Sequence, residues 1–125
     1  MTVLLDAAAL IALDRSDRPM WIRLKASAQS GEPPVTHGGV VGQVWRGSPR
    51  QARLATALAG IDVKPLDQDL GRSAGALLAA CGLSDVIDAA LARLAVDGDE
   101  IITSDGEDME VLLAATGRHV EMIRP

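Results

Sequence analysis

The chain predicts an α/β domain built on a mainly parallel sheet, and three observations lead there. Short apolar runs rich in Val, Leu and Ile recur five times, each of strand length. Between them lie longer stretches whose apolar residues return every three or four positions, the helical period. Strand and helix alternate from end to end, with no repeat, linker or low-complexity segment, an order that lays crossover helices on a parallel sheet. The 125 residues form one domain, residues 1–125, long enough to bury a core.

Taken in order, Thr2 to Leu5 is a buried strand that ends at Asp6. Ala7 to Leu13 is a run of strong helix formers, and Asp14 to Asp17 is a polar break. A second helix begins with Trp21, Ile22 and Leu24, runs toward Ser30 and stops at Gly31-Glu32-Pro33-Pro34. Val35-Thr36-His37 has room only for a short strand. After Gly38-Gly39, Val40, Val41, Val44 and Trp45 share a helical face. Ser48 is placed as an N-cap, with Pro49 at the first position of a helix that reaches Gly60. Ile61 to Leu66 is a strand that Pro65 confines to a sheet edge. Asp67 opens a helix that turns Leu70, Ala74, Leu77, Leu78 and Cys81 inward and closes at Gly82. Ser84 is expected to cap the next helix, whose inner face is Ile87, Leu91, Leu94 and Ala95, with Gly98 ending it. Glu100 to Ser104 is a strand, Asp105 to Ala115 a helix closed by Gly117, and Val120 to Ile123 the last strand.

Composition narrows the class. Apolar residues make up 48% and charged residues 23%, which is globular. Aromatic content is only 2%, Trp21 and Trp45 with no Phe or Tyr. The core must then be Ala, Leu, Val and Ile, and both tryptophans are expected to join it. Cys81 stands alone, which excludes an internal disulfide and a cysteine-based metal site, and it is expected as a buried small hydrophobe. The N-terminus lacks the pattern of a signal peptide, and no apolar run approaches the roughly 20 residues that span a bilayer. A soluble, cytoplasmic protein with no membrane partner is expected. Net charge is −5. Residues 15 to 53 nevertheless carry Arg15, Arg18, Arg23, Lys25, Arg46, Arg50 and Arg53 against only Asp17 and Glu32. One basic surface beside an acidic pocket is the pattern of a metal-dependent enzyme that holds a phosphate backbone, though a solvated helix face has the same composition.

The acids carry the chemistry. Asp85 and Asp88 lie three apart and share a helical face; Asp105 ends a strand, and Asp108 follows it by one turn. Asp6 ends the first strand. In parallel sheets, sites form outside the carboxyl ends of the strands, and Asp6 and Asp105 both stand there. If the first and fourth strands are neighbours, these acids converge. Capping a helix is an ordinary role open to Asp6 and Asp105, and Asp85 and Asp108 suit the positive end of a helix. Asp88 lies in the otherwise apolar Val86-Ile87-Asp88-Ala89-Ala90-Leu91, where an unpaired charge is costly. A cation or an arginine partner would offset that cost, and a hard divalent cation, Mg²⁺ or Mn²⁺, would also activate water for attack on a phosphodiester. Rival chemistries lack material: there is no nucleophile elbow or phosphate-cradling glycine motif, and His37 and His119 are far apart in the chain.

Four stretches carry a family resemblance. Leu4-Leu5-Asp6-Ala7-Ala8-Ala9-Leu10-Ile11-Ala12-Leu13, Gln43-Val44-Trp45-Arg46-Gly47, Asp88-Ala89-Ala90-Leu91-Ala92 and Ile102-Thr103-Ser104-Asp105-Gly106-Glu107-Asp108 resemble the successive motifs of PIN domains. The small toxins of the VapBC toxin–antitoxin type are the members they most resemble. The resemblance spans the chain and implies a PIN-like three-layer sandwich, with helices on both faces of a five-stranded sheet. It also implies a Mg²⁺- or Mn²⁺-dependent endoribonuclease, a homodimer and a cognate antitoxin. It assigns Asp6, Asp88, Asp105 and Asp108 to metal binding and catalysis. Asp85, Thr103 and Ser104 become candidates to support the site, and Arg46 a candidate phosphate contact. One position departs: Gln43 stands where the family usually has a glutamate. An amide oxygen brings no charge and is a weaker ligand. The alternative to an RNA-cutting enzyme is therefore a weakened or inactive PIN-like module that binds RNA or protein. A phospho-accepting receiver domain fits poorly, because Asp6 stands alone and Pro65 occupies the end of the third strand.

Overall fold

The computed structural model describes residues 1–125. Its strands are β1 (Val3–Leu5), β2 (Val35–His37), β3 (Asp62–Lys64), β4 (Glu100–Ile102) and β5 (Glu121–Ile123). Its helices are α1 (Ala7–Asp14), α2 (Arg18–Gln29), α3 (Gly38–Val44), α4 (Ala52–Ala59), α5 (Gln68–Cys81), α6 (Val86–Leu94) and α7 (Gly106–Thr116). All strand pairs are parallel, in the order β3-β2-β1-β4-β5. The sheet is parallel throughout, where the sequence promised only mainly so. β3 is an edge, as Pro65 requires.

Alternation along each strand divides the core. Leu4 and Ile101 point to one side, with Ala74, Leu77, Ala89, Leu91, Met109 and Leu112 of α5, α6 and α7. Leu5 and Ile102 point to the other, with Leu10, Leu13, Met20, Val40, Val44 and Leu54 of α1 to α4. The result is the three-layer sandwich, filled by aliphatic side chains and methionine as the composition requires. Each fully buried leucine contributes about 1.5–3 kcal/mol by leaving water. No helix is long and apolar enough to cross a membrane.

Several element ends differ from expectation. α2 starts at Arg18, ahead of Trp21, because the Asp17 carboxylate accepts from Met20 N at 3.1 Å and Pro19 suits the first turn. Asp85, and not Ser84, caps α6, since one carboxylate oxygen accepts from both Ile87 N (2.9 Å) and Asp88 N (3.1 Å). Ser48 caps only a 3₁₀ turn, Pro49–Gln51, ahead of α4. α6 ends at Leu94, well short of Gly98. Trp45 stays outside the core, past the end of α3 at 39% exposure, whereas Trp21 is half-buried and packs against the core formed with α1 to α4. Cys81 is half-buried too. Gly82 and Gly117 end their helices in the left-handed conformation (φ 67° and 71°), as expected.

One close approach fixes how the two helical layers meet. A Cβ placed on Gly39 would lie 2.5 Å from Ile87 Cδ1, 2.9 Å from His37 Cε1 and 3.0 Å from Leu66 Cδ2. Gly39→Ala must therefore push the Ile87 and Leu66 side chains aside and press on the buried His37 ring. The variant is expected to lose about 1–3 kcal/mol, read by urea unfolding, even though alanine is the better helix former.

Candidate active site

β1 and β4 lie side by side, with Leu5 paired to Ile102. The chain fills one half of the sheet with β1, β2 and β3, then crosses back to add β4 and β5. The crevice for ligands in such a sheet opens where the order reverses, beyond the carboxyl ends of β1 and β4. The acids gather there.

Asp6 is buried, and both its oxygens are held. One accepts from Ala9 N at 3.1 Å and caps α1; the other accepts from Ser104 N at 3.2 Å, beyond β4. Ser104 thus serves the site through its backbone. Thr103 is buried and shapes the following turn: its hydroxyl oxygen accepts from Asp105 N at 3.0 Å, and its own N–H donates to Ile123 O at 2.9 Å. Asp105 occupies the N-cap position of α7, yet its side chain caps nothing. It turns toward Asp88 instead.

Asp88 is the focus. Its pKa rises from 3.8 to about 7. Burial is the largest cause, followed by the negative charges of Asp85 and Asp105, a hydrogen bond shared with the Asp105 carboxyl, and the charge of Asp6. Asp6, Asp85 and Asp105 therefore converge on Asp88. No basic side chain neutralises them; the chain's ion pairs join the Met1 amino group to Glu32 and Lys64 to Asp62.

The remaining candidates are not hydrogen-bonded to these carboxylates. Asp108, in the first turn of α7, is not among the carboxylates that act on Asp88, and its side chain makes no hydrogen bond. Gln43 is exposed near the end of α3. The Arg46 guanidinium folds back on that helix end and donates to the carbonyls of Gly42 (3.1 Å), Gln43 (3.2 Å) and Trp45 (2.7 Å). It answers the negative end of the helix dipole. Asp85 is committed to its cap.

As a donor set, the clustered carboxylates offer oxygen atoms only, the type of ligand a hard divalent cation takes, and no basic side chain balances their charge. No three His, Cys, Asp or Glu side chains close into a ready-made cage. Mg²⁺ does not require one, since it keeps several waters and takes one or two carboxylates together with substrate phosphate.

His37 is the residue the sequence reading left without a role. It is completely buried. Its Nε2 lies 2.9 Å from Ile87 O, and its Nδ1 accepts from Gly39 N at 3.0 Å. A carbonyl can only accept, so Nε2 carries the proton and the ring is neutral; burial lowers its pKa. The ring pins the first turn of α6 one residue before Asp88. The signal available was a histidine at a strand end followed by two glycines.

With the geometry in hand, the chain can be set beside known proteins. No family model matches it, and no curated protein matches it in sequence. Among solved structures, it is similar to a chain in the crystal structure of VapBC2 from Rickettsia felis bound to a DNA fragment from their promoter. The TM-score is 0.68 and the identity 13%, over 98% of this chain and 99% of that one. The folds agree. At that identity the likeness extends to the fold alone, and the five-stranded parallel architecture implied by the PIN resemblance is present.

The Asp88 shift has a sign that can be measured. Between about pH 4 and pH 7 the folded state holds a proton that the unfolded chain releases, so the contribution to stability falls as pH rises through that window. Asp88→Asn is expected to melt above the parent at pH 7.5, with the gap narrowing toward pH 4. Mn²⁺ is expected to raise the melting temperature of the parent but not of the variant.

Proposed function

We propose that the chain is a Mg²⁺- or Mn²⁺-dependent endoribonuclease, a toxin of toxin–antitoxin type that hydrolyses RNA phosphodiester bonds. The observation that carries this reading is the convergence of Asp6, Asp85 and Asp105 on a half-protonated Asp88 at the switch point of the sheet. Asp6, Asp88 and Asp105 would hold the ion. The bound ion supplies Lewis acidity toward a phosphoryl oxygen and activation of water. Asp6 is preset by Ala9 N and Ser104 N, so its oxygens need little reorganisation. Burial and the neighbouring charges raise the Asp88 pKa to about 7, so a bound cation would displace its proton and take the place of the missing counter-charge. An antitoxin partner follows from the same reading, supported by the fold shared with a VapBC2 chain.

Exposed Gln43 favours a second reading, a weakened or inactive module that binds RNA or protein without cutting. The two separate cleanly. Cleavage of labelled RNA by the parent is expected to require Mg²⁺ or Mn²⁺ and to fall on the order of 10²-fold or more in Asp6→Asn and Asp88→Asn. Activity that survives excess chelator would defeat the enzyme reading. A parent inert under all metals, with cutting restored by Gln43→Glu, would mark a weakened enzyme; no cutting by either protein would leave the binding module.

A further inference from the structure

Away from the acids, a cleft of about 340 Å³ opens where α1 turns into α2, lined by Ser16, Arg18, Trp21, Ile22, Lys25 and Arg53. We propose that this cleft is a binding site for the phosphate backbone of single-stranded RNA, and that it holds the substrate strand on one side of the cut. The inference rests on the ribonuclease reading for its purpose, but not for its geometry.

Charge is the first ground. Arg18, Lys25 and Arg53 are all exposed, and none of their side chains makes an ion pair or a hydrogen bond within the protein. The chain carries a net charge of −5, so surface acids were available as partners. The acid beside Arg18, Asp17, is engaged as the cap of α2, accepting from Met20 N. Three unneutralised cations around one cleft in an acidic chain leave a local positive field for a polyanion.

Rigidity is the second. The Trp21 indole N–H donates to Leu13 O at 3.1 Å, which fixes the ring against the end of α1. The Arg53 guanidinium lies over that ring, 4.6 Å from its centroid. That cation–π contact restrains the guanidinium, whose N–H groups have no protein acceptor and are left to donate to a phosphate. Most exposed arginines must surrender side-chain freedom to bind; this one is already held.

Placement is the third. Ser16 takes the left-handed conformation at φ 61°, which lets α2 reverse tightly against the end of α1. α1 begins directly after Asp6 and spans eight residues, about 12 Å. The cations thus sit one short helix from the acids, within reach of one extended strand. An acidic protein segment fits less well. A stable protein contact buries on the order of 1,000 Å² or more with an apolar centre, and the only strongly exposed apolar side chain here is Ile22, at 57%.

The test is equilibrium binding of a fluorescent single-stranded RNA in excess chelator, which suppresses cutting. Arg18→Ala/Lys25→Ala/Arg53→Ala is expected to weaken binding at least tenfold and to make the log–log salt dependence shallower by roughly 2, as loss of three phosphate contacts requires. Arg53→Lys, which keeps the charge and loses the fork, is expected to fall between parent and triple variant. Arg72→Ala, on α5, is expected to bind as the parent does, and circular dichroism verifies that each variant is folded. Parent-like affinity in the folded triple variant overturns the inference. So does displacement of the RNA by polyglutamate as effectively as by unlabelled RNA, which would make the cleft a site for acidic protein. Cleavage with Mn²⁺ is scored separately: a parent that binds RNA through these residues yet never cuts it removes the enzyme reading and leaves this site standing.

Discussion

The site depends on one adjacency, the parallel pairing of β1 with β4. It places the ends of two strands, 96 residues apart at Asp6 and Ile102, within a single hydrogen bond, Asp6 N–H to Ile102 O at 3.1 Å. Once the strands are side by side, the Asp6 carboxylate reaches Ser104 N–H, and the turn shaped by Thr103 delivers Asp105 to the same place. Neither half of the sheet carries the acids alone. The reversal of strand order creates the crevice, and the residues immediately past the strands furnish it.

A second tie runs perpendicular to the sheet. His37, at the end of β2, grips the first turn of α6 through the Ile87 carbonyl, and Gly39 gives that turn room to approach. Asp88 is presented from α6, so its position is set by a buried neutral imidazole and not by a charged partner. The energetic conflict at Asp88 follows: its neighbours that hydrogen-bond well are structural, while those that carry charge repel it. Aspartates at helix starts ordinarily relieve themselves on backbone amides. Asp85 does so twice; Asp105 forgoes it.

Local chemistry was legible in the sequence where it was self-contained. Pro65 marked an edge strand, Asp67 a helix start and Gly82 a helix end, because each acts through its own few neighbours. Asp88 was legible because a carboxylate in an apolar stretch demands an explanation. Ser84 and Asp85 were not distinguishable by type, since both can cap, and the choice went to the carboxylate that serves two amides. Trp45 was misjudged because its helix stops at Val44, one residue before it would turn inward. His37 escaped notice because its partners, Gly39 and Ile87, include one 50 residues away. Gln43 and Asp108 share motifs with the site, and neither side chain is hydrogen-bonded to its carboxylates.

The two outer strands have a consequence for how the molecule meets others. β3 and β5 are three residues long, carry charges (Asp62 and Lys64 on one, Glu121 on the other) and are each followed closely by a proline, Pro65 and Pro125. Short, charged, proline-terminated borders resist annealing to a foreign strand. Growth of the ribbon sideways is discouraged at both margins, which guards against stacking into fibres and leaves companionship to the helical exterior.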